Sequence, residues 1–134
     1  METARTIYKG ALRTEITHLR SGSVITTDAP VDNKGQGEHF SPTDMVASAL
    51  GSCILTIMGI SAREHSFSID GTTCKITKIM TECPRKIGEI KIEFDFTANE
   101  FTDSQKKILE YCVKTCPVAL SLNDSVIQNV RLIF

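Results

Sequence analysis

Two of the five cysteines stand where a thiol could do chemistry. Cys53 lies in GSCILTIMGI, residues 51–60, within a stretch that carries no charge between Asp44 and Arg63. An apolar helix interior disfavours a thiolate, so Cys53 taken alone fits a structural role. It becomes a candidate nucleophile only if a cation or hydrogen-bond donor reaches it from outside its helix.

Cys116 stands directly before Pro117, where the pattern predicts that one helix ends and a short one begins. Free N–H groups and the positive dipole end at a helix start stabilise a thiolate. Cys116 is therefore a candidate reactive thiol on local grounds.

The other cysteines favour structural roles. Cys74 and Cys83 lie nine residues apart on one predicted strand, roughly 30 Å, which no disulfide can span. We expect Cys74 in the core and Cys83 at a turn edge. Cys112 and Cys116 form a C-x₃-C pair, but zinc normally requires four ligands and the three histidines show no metal-binding spacing, so no metal is expected.

The length of 134 residues predicts a single domain, residues 1–134, and the net charge of −1 gives no reason to expect nucleic acid or an anionic membrane as partner. The N-terminus METARTIYKG lacks the pattern of a signal peptide, and an odd number of cysteines argues against a disulfide framework, so we expect a cytoplasmic protein. The uncharged run 45–62 is barely long enough to span a membrane, and its small polar residues favour a buried central helix instead.

The first helix is predicted over residues 41–65, with Ser41 as N-cap, Pro42 at the first position and Asp44 completing a capping box. A second helix begins after a capping box formed by Thr102 and Gln105 and breaks near Cys116. Strand patterns cover residues 11–19, 23–29, 68–82, 89–96 and 125–134. The predicted order is roughly ββαββαβ, an α+β fold with at least five strands.

The stretches FSPTDMVASALGSCILTIM and ILEYCVKTCPVALSL, with the loop TDAPVDNKGQGEHFSP, resemble the OsmC/Ohr family of osmotically inducible and organic hydroperoxide resistance proteins. The similarity is closest to the short OsmC-like branch, whose helix opens with S-P-x-[DE] and reaches its cysteine through A-L-G-x-C. The resemblance implies antiparallel strands wrapped around two central helices. It also implies an intertwined homodimer with its sites at the subunit interface.

The resemblance implies a peroxiredoxin-like role for Cys53, which would attack an organic hydroperoxide in oxidative-stress defence and become a sulfenic acid. Cys116 would resolve it as a disulfide, and a dithiol reductant, lipoyl or small-molecule, would restore both thiols. The implied chemistry needs no cofactor: neither metal, flavin nor haem.

In active members of the family, an arginine from the N-terminal region and a glutamate near the start of the cysteine helix support the thiolate. The glutamate position here is Thr43, and the neighbouring Asp44 either replaces it or serves only as the capping-box acid. Arg20, at the end of the first predicted strand, is the candidate arginine, and the alternative is a solvated turn residue. His39, in the loop before the helix, is a candidate donor, and the alternative is an exposed loop residue.

Three functions therefore stay open. The first is thiol-dependent reduction of organic hydroperoxides through Cys53 and Cys116. The second is a non-peroxidase OsmC-like protein that senses redox state or binds small molecules, because Thr43 replaces the family glutamate. The third is a structural dimer whose buried cysteines are inert.

Overall fold

The computed structural model describes all 134 residues and confirms the α+β class. The strands are β1 (Ala4–Gly10), β2 (Arg13–His18), β3 (Val24–Asp28), β4 (Thr73–Glu82), β5 (Arg85–Asp95) and β6 (Ile127–Ile133). The helices are α1 (Pro42–Glu64), α2 (Asp103–Thr115) and α3 (Pro117–Ser121), and a single 3₁₀ turn covers Val31–Asn33. The chain divides into two compact units, residues 1–46 and 47–134, and each is described by itself.

The first unit contains an antiparallel sheet in the order β1-β2-β3. The sequence predicted β2 and β3 but not β1, so the predicted order lacks one strand. The missed strand is exposed along nearly its whole length, and a strand without a buried face has no apolar alternation by which it could be recognised. Its turn into β2 uses positive φ angles at Gly10, Ala11 and Leu12, and only the first of these residues adopts such a conformation without strain.

The start of α1 confirms the predicted capping box. The Asp44 N–H donates to Ser41 Oγ at 3.0 Å, and the Ser41 N–H donates to the Asp44 carboxylate at 2.9 Å. Two backbone donors that the helix itself leaves unpaired are thereby satisfied. The helix therefore begins where the sequence predicts.

The core of the second unit lies between α1 and β5. Leu50, Ile54 and Met58 on α1 have no exposed surface, and neither do Ile90 and Phe94 on β5. By length and apolar character α1 could cross a membrane. Its fully buried face is the one that a core helix presents, which supports the predicted central helix.

The second sheet has the order β4-β5-β6. The hairpin of β4 and β5 is antiparallel, but β6 runs parallel to β5, so this one strand pair departs from the antiparallel pairing that the resemblance implies. The chain reaches β6 through α2 and α3, and a helical crossover of this kind is how parallel neighbours are connected. The capping box of Thr102 and Gln105 is present at the start of α2.

Candidate functional site

Cys53 and Cys116 are the predicted site residues that the structure brings together. α1 places Cys53, half-buried, at the edge of its buried face, and the joint between α2 and α3 buries Cys116 completely. Cys53 packs against the buried cluster that contains Cys116, close enough to raise the pKa of Cys116, and both thiols are free. Two reduced thiols in contact are the starting arrangement for oxidation to a disulfide.

Pro117 makes the joint that holds Cys116. α2 ends before Cys116, whose backbone is extended with φ −63° and ψ 125°, and α3 begins with Pro117. This confirms the predicted break, because proline lacks the N–H that a continuous helix needs and clashes with the preceding turn.

The pKa of Cys116 departs from the sequence-based expectation. The backbone N–H groups of Val118 and Ala119 act to lower the pKa of Cys116, as expected for a thiol at a helix start. Burial and the hydrogen bond to Cys53 nevertheless raise the pKa of Cys116 above its ordinary value, burial being the larger cause. The expectation of a stabilised thiolate at Cys116 is therefore wrong in its net direction, because desolvation outweighs the two donors.

The remaining thiols are also free. Cys74 lies on β4 beside Gly51 of α1, and burial raises its pKa. Cys83 is exposed between β4 and β5. Cys112 is buried on α2, and its Sγ donates to Ser61 Oγ on α1 at 3.3 Å.

The other predicted site residues belong to the first unit. Arg20 is exposed in the turn after β2, and His39 is exposed in the loop before α1. Asp44 is engaged in the capping box, and the hydroxyls of Thr43 and Ser41 lie 3.2 Å apart. The capping role of Asp44 is therefore confirmed, whereas activation of the thiol by any of these residues stays a prediction.

An arginine that the sequence analysis missed organises the first unit. The Arg13 guanidinium binds Asp28 with two hydrogen bonds of 2.6 and 2.9 Å, and it also donates to Glu38 at 2.7 Å and to Gln36 at 3.0 Å. Hydrogen bonds from Arg13 hold the pKa of Asp28 below its usual range although its carboxylate is buried. Arg13 and Asp28 are direct cross-strand partners, so the charge-pair rule for hairpins could have found them.

His39 lies beside this network. Its ring and the carboxylates of Asp28 and Glu38 offer ligand atoms within 4.8 Å of one another. Arg13 already pairs with both carboxylates, so a cation would have to displace the guanidinium. These contacts describe an ion-pair network that fixes the loop before α1.

The fold is that of an OsmC-like protein. Residues 35–130 match the family model of OsmC-like proteins, and the chain belongs to this family. A similar solved structure comes from Psychrobacter arcticus 273-4, where the protein is provisionally described as an osmotic stress induced and detoxification response protein. That structure is 46% identical, with a TM-score of 0.95, over 99% of this chain and 96% of that one.

More distant structures share the fold. An organic hydroperoxide resistance protein OsmC from Legionella pneumophila is 13% identical with a TM-score of 0.74, over 100% of this chain and 98% of that one. The organic hydroperoxide resistance protein OhrB of Bacillus subtilis is 18% identical with a TM-score of 0.65, over 98% of both chains. No curated protein sequence gives a significant match.

Proposed function

We propose that this protein reduces organic hydroperoxides through Cys53 and Cys116 in defence against oxidative stress. The observation that carries the proposal is the placement of two free thiols together: half-buried Cys53 packs against the buried cluster that contains Cys116. The names of the Legionella pneumophila and Bacillus subtilis proteins support the substrate class. The apolar residues around Cys53 suit an organic peroxide better than hydrogen peroxide.

The reaction balances with the two thiols alone. The Cys53 thiolate attacks the terminal peroxide oxygen, the O–O bond breaks, and the leaving alkoxide takes a proton to become an alcohol. Cys116 then attacks the sulfur of the Cys53 sulfenic acid, forming the S–S bond and releasing water with its own proton. A dithiol, lipoyl or small-molecule, returns two electrons and two protons by exchange. No step requires a metal, flavin or haem.

Mass spectrometry of the reduced protein with one equivalent of cumene hydroperoxide tests this reaction. We expect the wild type to lose two hydrogens through a bridge that maps to Cys53 and Cys116. Cys53→Ser should form no bridge, and Cys116→Ser should instead leave a sulfenic acid on Cys53 that dimedone traps. Cys74→Ser is the matched control and should behave as wild type. Oxidation no faster than that of free cysteine, without this bridge, would contradict the proposal.

A second function is supported by one residue. Thr43 stands at the family's glutamate position, and its hydroxyl lies beside the Ser41 hydroxyl. A threonine cannot supply the carboxylate that pairs with an arginine, which favours a non-peroxidase protein that senses redox state or binds a small molecule.

Thr43→Glu should raise the rate of peroxide-driven oxidation at least severalfold if only the carboxylate is missing, with Thr43→Gln as the control. A wild type that oxidises slowly with peroxide but readily with diamide would support the second function.

We also propose that two chains form a homodimer with the sites at the subunit interface, as the family resemblance implies. The first sheet supports a partner because it exposes large apolar side chains in the single chain: Ile7, Tyr8, Val24 and Ile25. The cytoplasmic location stays a prediction, and the five free cysteines are consistent with a reducing compartment.

A further inference from the structure

α2 carries a third buried thiol, one that the proposed reaction does not use. Cys112 is 2% exposed, and its Sγ lies 3.3 Å from Ser61 Oγ on α1 and 3.2 Å from the carbonyl oxygen of Ile108 on its own helix. One S–H proton therefore serves two acceptors, and one of them belongs to the neighbouring helix. The thiol is a polar link between α1 and α2.

This link joins α1, which carries Cys53, to α2, which ends just before Cys116. Ser61 is eight residues after Cys53 on α1, a rise of about 12 Å. Cys112 is four residues before Cys116, about one turn of α2. Cys53 packs against the buried cluster that contains both Cys112 and Cys116, and Ser61 accepts the hydrogen bond from Cys112. Both contacts therefore join α1 to the last part of α2 and the residue that follows it. A displacement of α2 at one contact must therefore move the other.

We propose that Cys112 is a positioning residue whose contact with Ser61 holds α2 in the register on α1 that keeps Cys116 against Cys53. The inference rests on the proposed pairing of these two thiols, but it does not depend on a hydroperoxide being the oxidant. Cys112 itself touches no substrate. Its sulfur is hydrogen-bonded to Ser61 and to its own helix, and the proposal gives the resolving step to Cys116.

The chemistry of the contact explains why an apolar residue does not serve equally well. The Ser61 hydroxyl is half-buried, and a buried polar atom that loses its partner is destabilising. An alanine at position 112 removes the donor and leaves a small cavity, whereas a serine keeps a donor in nearly the same place. Because a thiol is a weak donor, the effect on Cys116 should be measurable but moderate.

Thiol–disulfide exchange with glutathione measures the positioning directly. Cys53 and Cys116 pass two electrons and two protons to oxidised glutathione, which gives the protein disulfide and two molecules of reduced glutathione. The equilibrium constant reports how well the thiols are held together. Cys112→Ala and Ser61→Ala should each lower it about threefold to tenfold, the size expected for one net hydrogen bond. The equilibrium constant of Cys112→Ser should stay within about twofold of the wild-type value. The double alanine variant should lower the constant little more than either single alanine variant does.

Cys74→Ala is the matched control. It also removes a partly buried thiol that packs beside α1, but from β4 rather than α2. It should lower the melting temperature without moving the glutathione equilibrium. The proposal is overturned if Cys112→Ala leaves the glutathione equilibrium constant unchanged, or if Cys74→Ala lowers that constant equally. It is also overturned if Cys112→Ser has as low a constant as Cys112→Ala. A wild-type disulfide that involves Cys112, or the absence of any disulfide, would overturn it too. A shifted equilibrium with no oxidation by cumene hydroperoxide would refute the hydroperoxide function alone and support the positioning role.

Discussion

Cys53 and Cys116 differ in exposure, and this difference suits them to different steps of the proposed reaction. Cys53 is half-buried and retains exposed surface, whereas Cys116 has none, so an external oxidant reaches Cys53 more readily. The raised pKa of Cys116 keeps its thiol protonated at neutral pH, and a protonated thiol does not compete for peroxide. Cys116 therefore suits the resolving step, in which it attacks the sulfur of Cys53 after that sulfur has been oxidised.

At the same scale, Asp28 and Arg13 should give the first unit a pH-dependent stability. The folded pKa of Asp28 is lowered, chiefly by hydrogen bonds from Arg13. A lowered carboxyl pKa contributes stability that is fully present above the unfolded value, about 3.9, and is lost as pH falls through the folded value. Asp28→Asn should therefore melt at a lower temperature than wild type at pH 7, and the difference should shrink below about pH 4.

Thermal unfolding of both proteins between pH 7 and pH 3 measures this effect. The control is Asp124→Asn, which removes an exposed carboxylate in the second unit. It should melt near the wild-type temperature at every pH. A constant difference between Asp28→Asn and wild type over the whole range would show that the ionised carboxylate is not the source.

The site residues differ in how far the sequence alone could identify them. Cys53 and Cys116 could be proposed because motif spacing and the Cys-Pro dipeptide are local features. Arg13 was missed because its importance depends on which residue of β3 lies opposite, and the charge-pair rule can be applied only after the register of the whole hairpin has been worked out. The sign of the Cys116 pKa shift was missed because burial is a property of the packed chain, while the helix-start donors are local.

At the scale of elements, local signals again predicted most of what is observed. Both capping boxes and the break at Pro117 occur as predicted, because each depends on side chains within four residues. β1 and the parallel direction of β6 were not predicted. Each depends on pairing with a segment elsewhere in the chain, and an exposed strand such as β1 carries no apolar pattern of its own.

Two glycines of α1 allow the packing of this helix to be tested within one element. A Cβ at Gly51 would lie 2.6 Å from the Cδ1 of Ile76, whereas a Cβ at Gly59 would meet only Ile69 Cδ1 at 4.0 Å. Both alanine variants gain about 1 kcal/mol of helix propensity. Gly59→Ala should therefore be stabilised, while overpacking of about 1–3 kcal/mol at Gly51 should cancel or exceed the gain.

Urea unfolding of the two variants measures the difference directly, because the propensity gain is common to both. Gly51→Ala should lie about 1–3 kcal/mol below Gly59→Ala in free energy of unfolding. Equal stabilities would mean that Ile76 moves aside without cost and that α1 does not pack tightly against β4 at this point.

At the scale of the whole molecule, the first sheet presents apolar residues on both faces. Neighbouring residues of a strand point to opposite faces of the sheet. Two such neighbouring pairs are exposed: Ile7 and Tyr8 on β1, and Val24 and Ile25 on β3. β1 and β3 are also the edges of this sheet, and exposed apolar edge strands promote pairing with another chain. A single copy of the chain therefore leaves this sheet without the cover that a second copy would provide.

The proposed homodimer predicts that sedimentation equilibrium gives twice the chain mass of 14.8 kDa. Ile25→Glu places a charge on the exposed edge strand, where burial in an interface would be costly, and it should shift the mass towards that of one chain. Ile127→Glu is the control, since Ile127 is 61% exposed but lies on the second sheet, and it should leave the mass unchanged. If the sites lie at the interface, cumene hydroperoxide should also no longer oxidise the thiols of Ile25→Glu. A wild type with the mass of one chain at all concentrations would refute the dimer, and the exposed first sheet would then have no assigned partner.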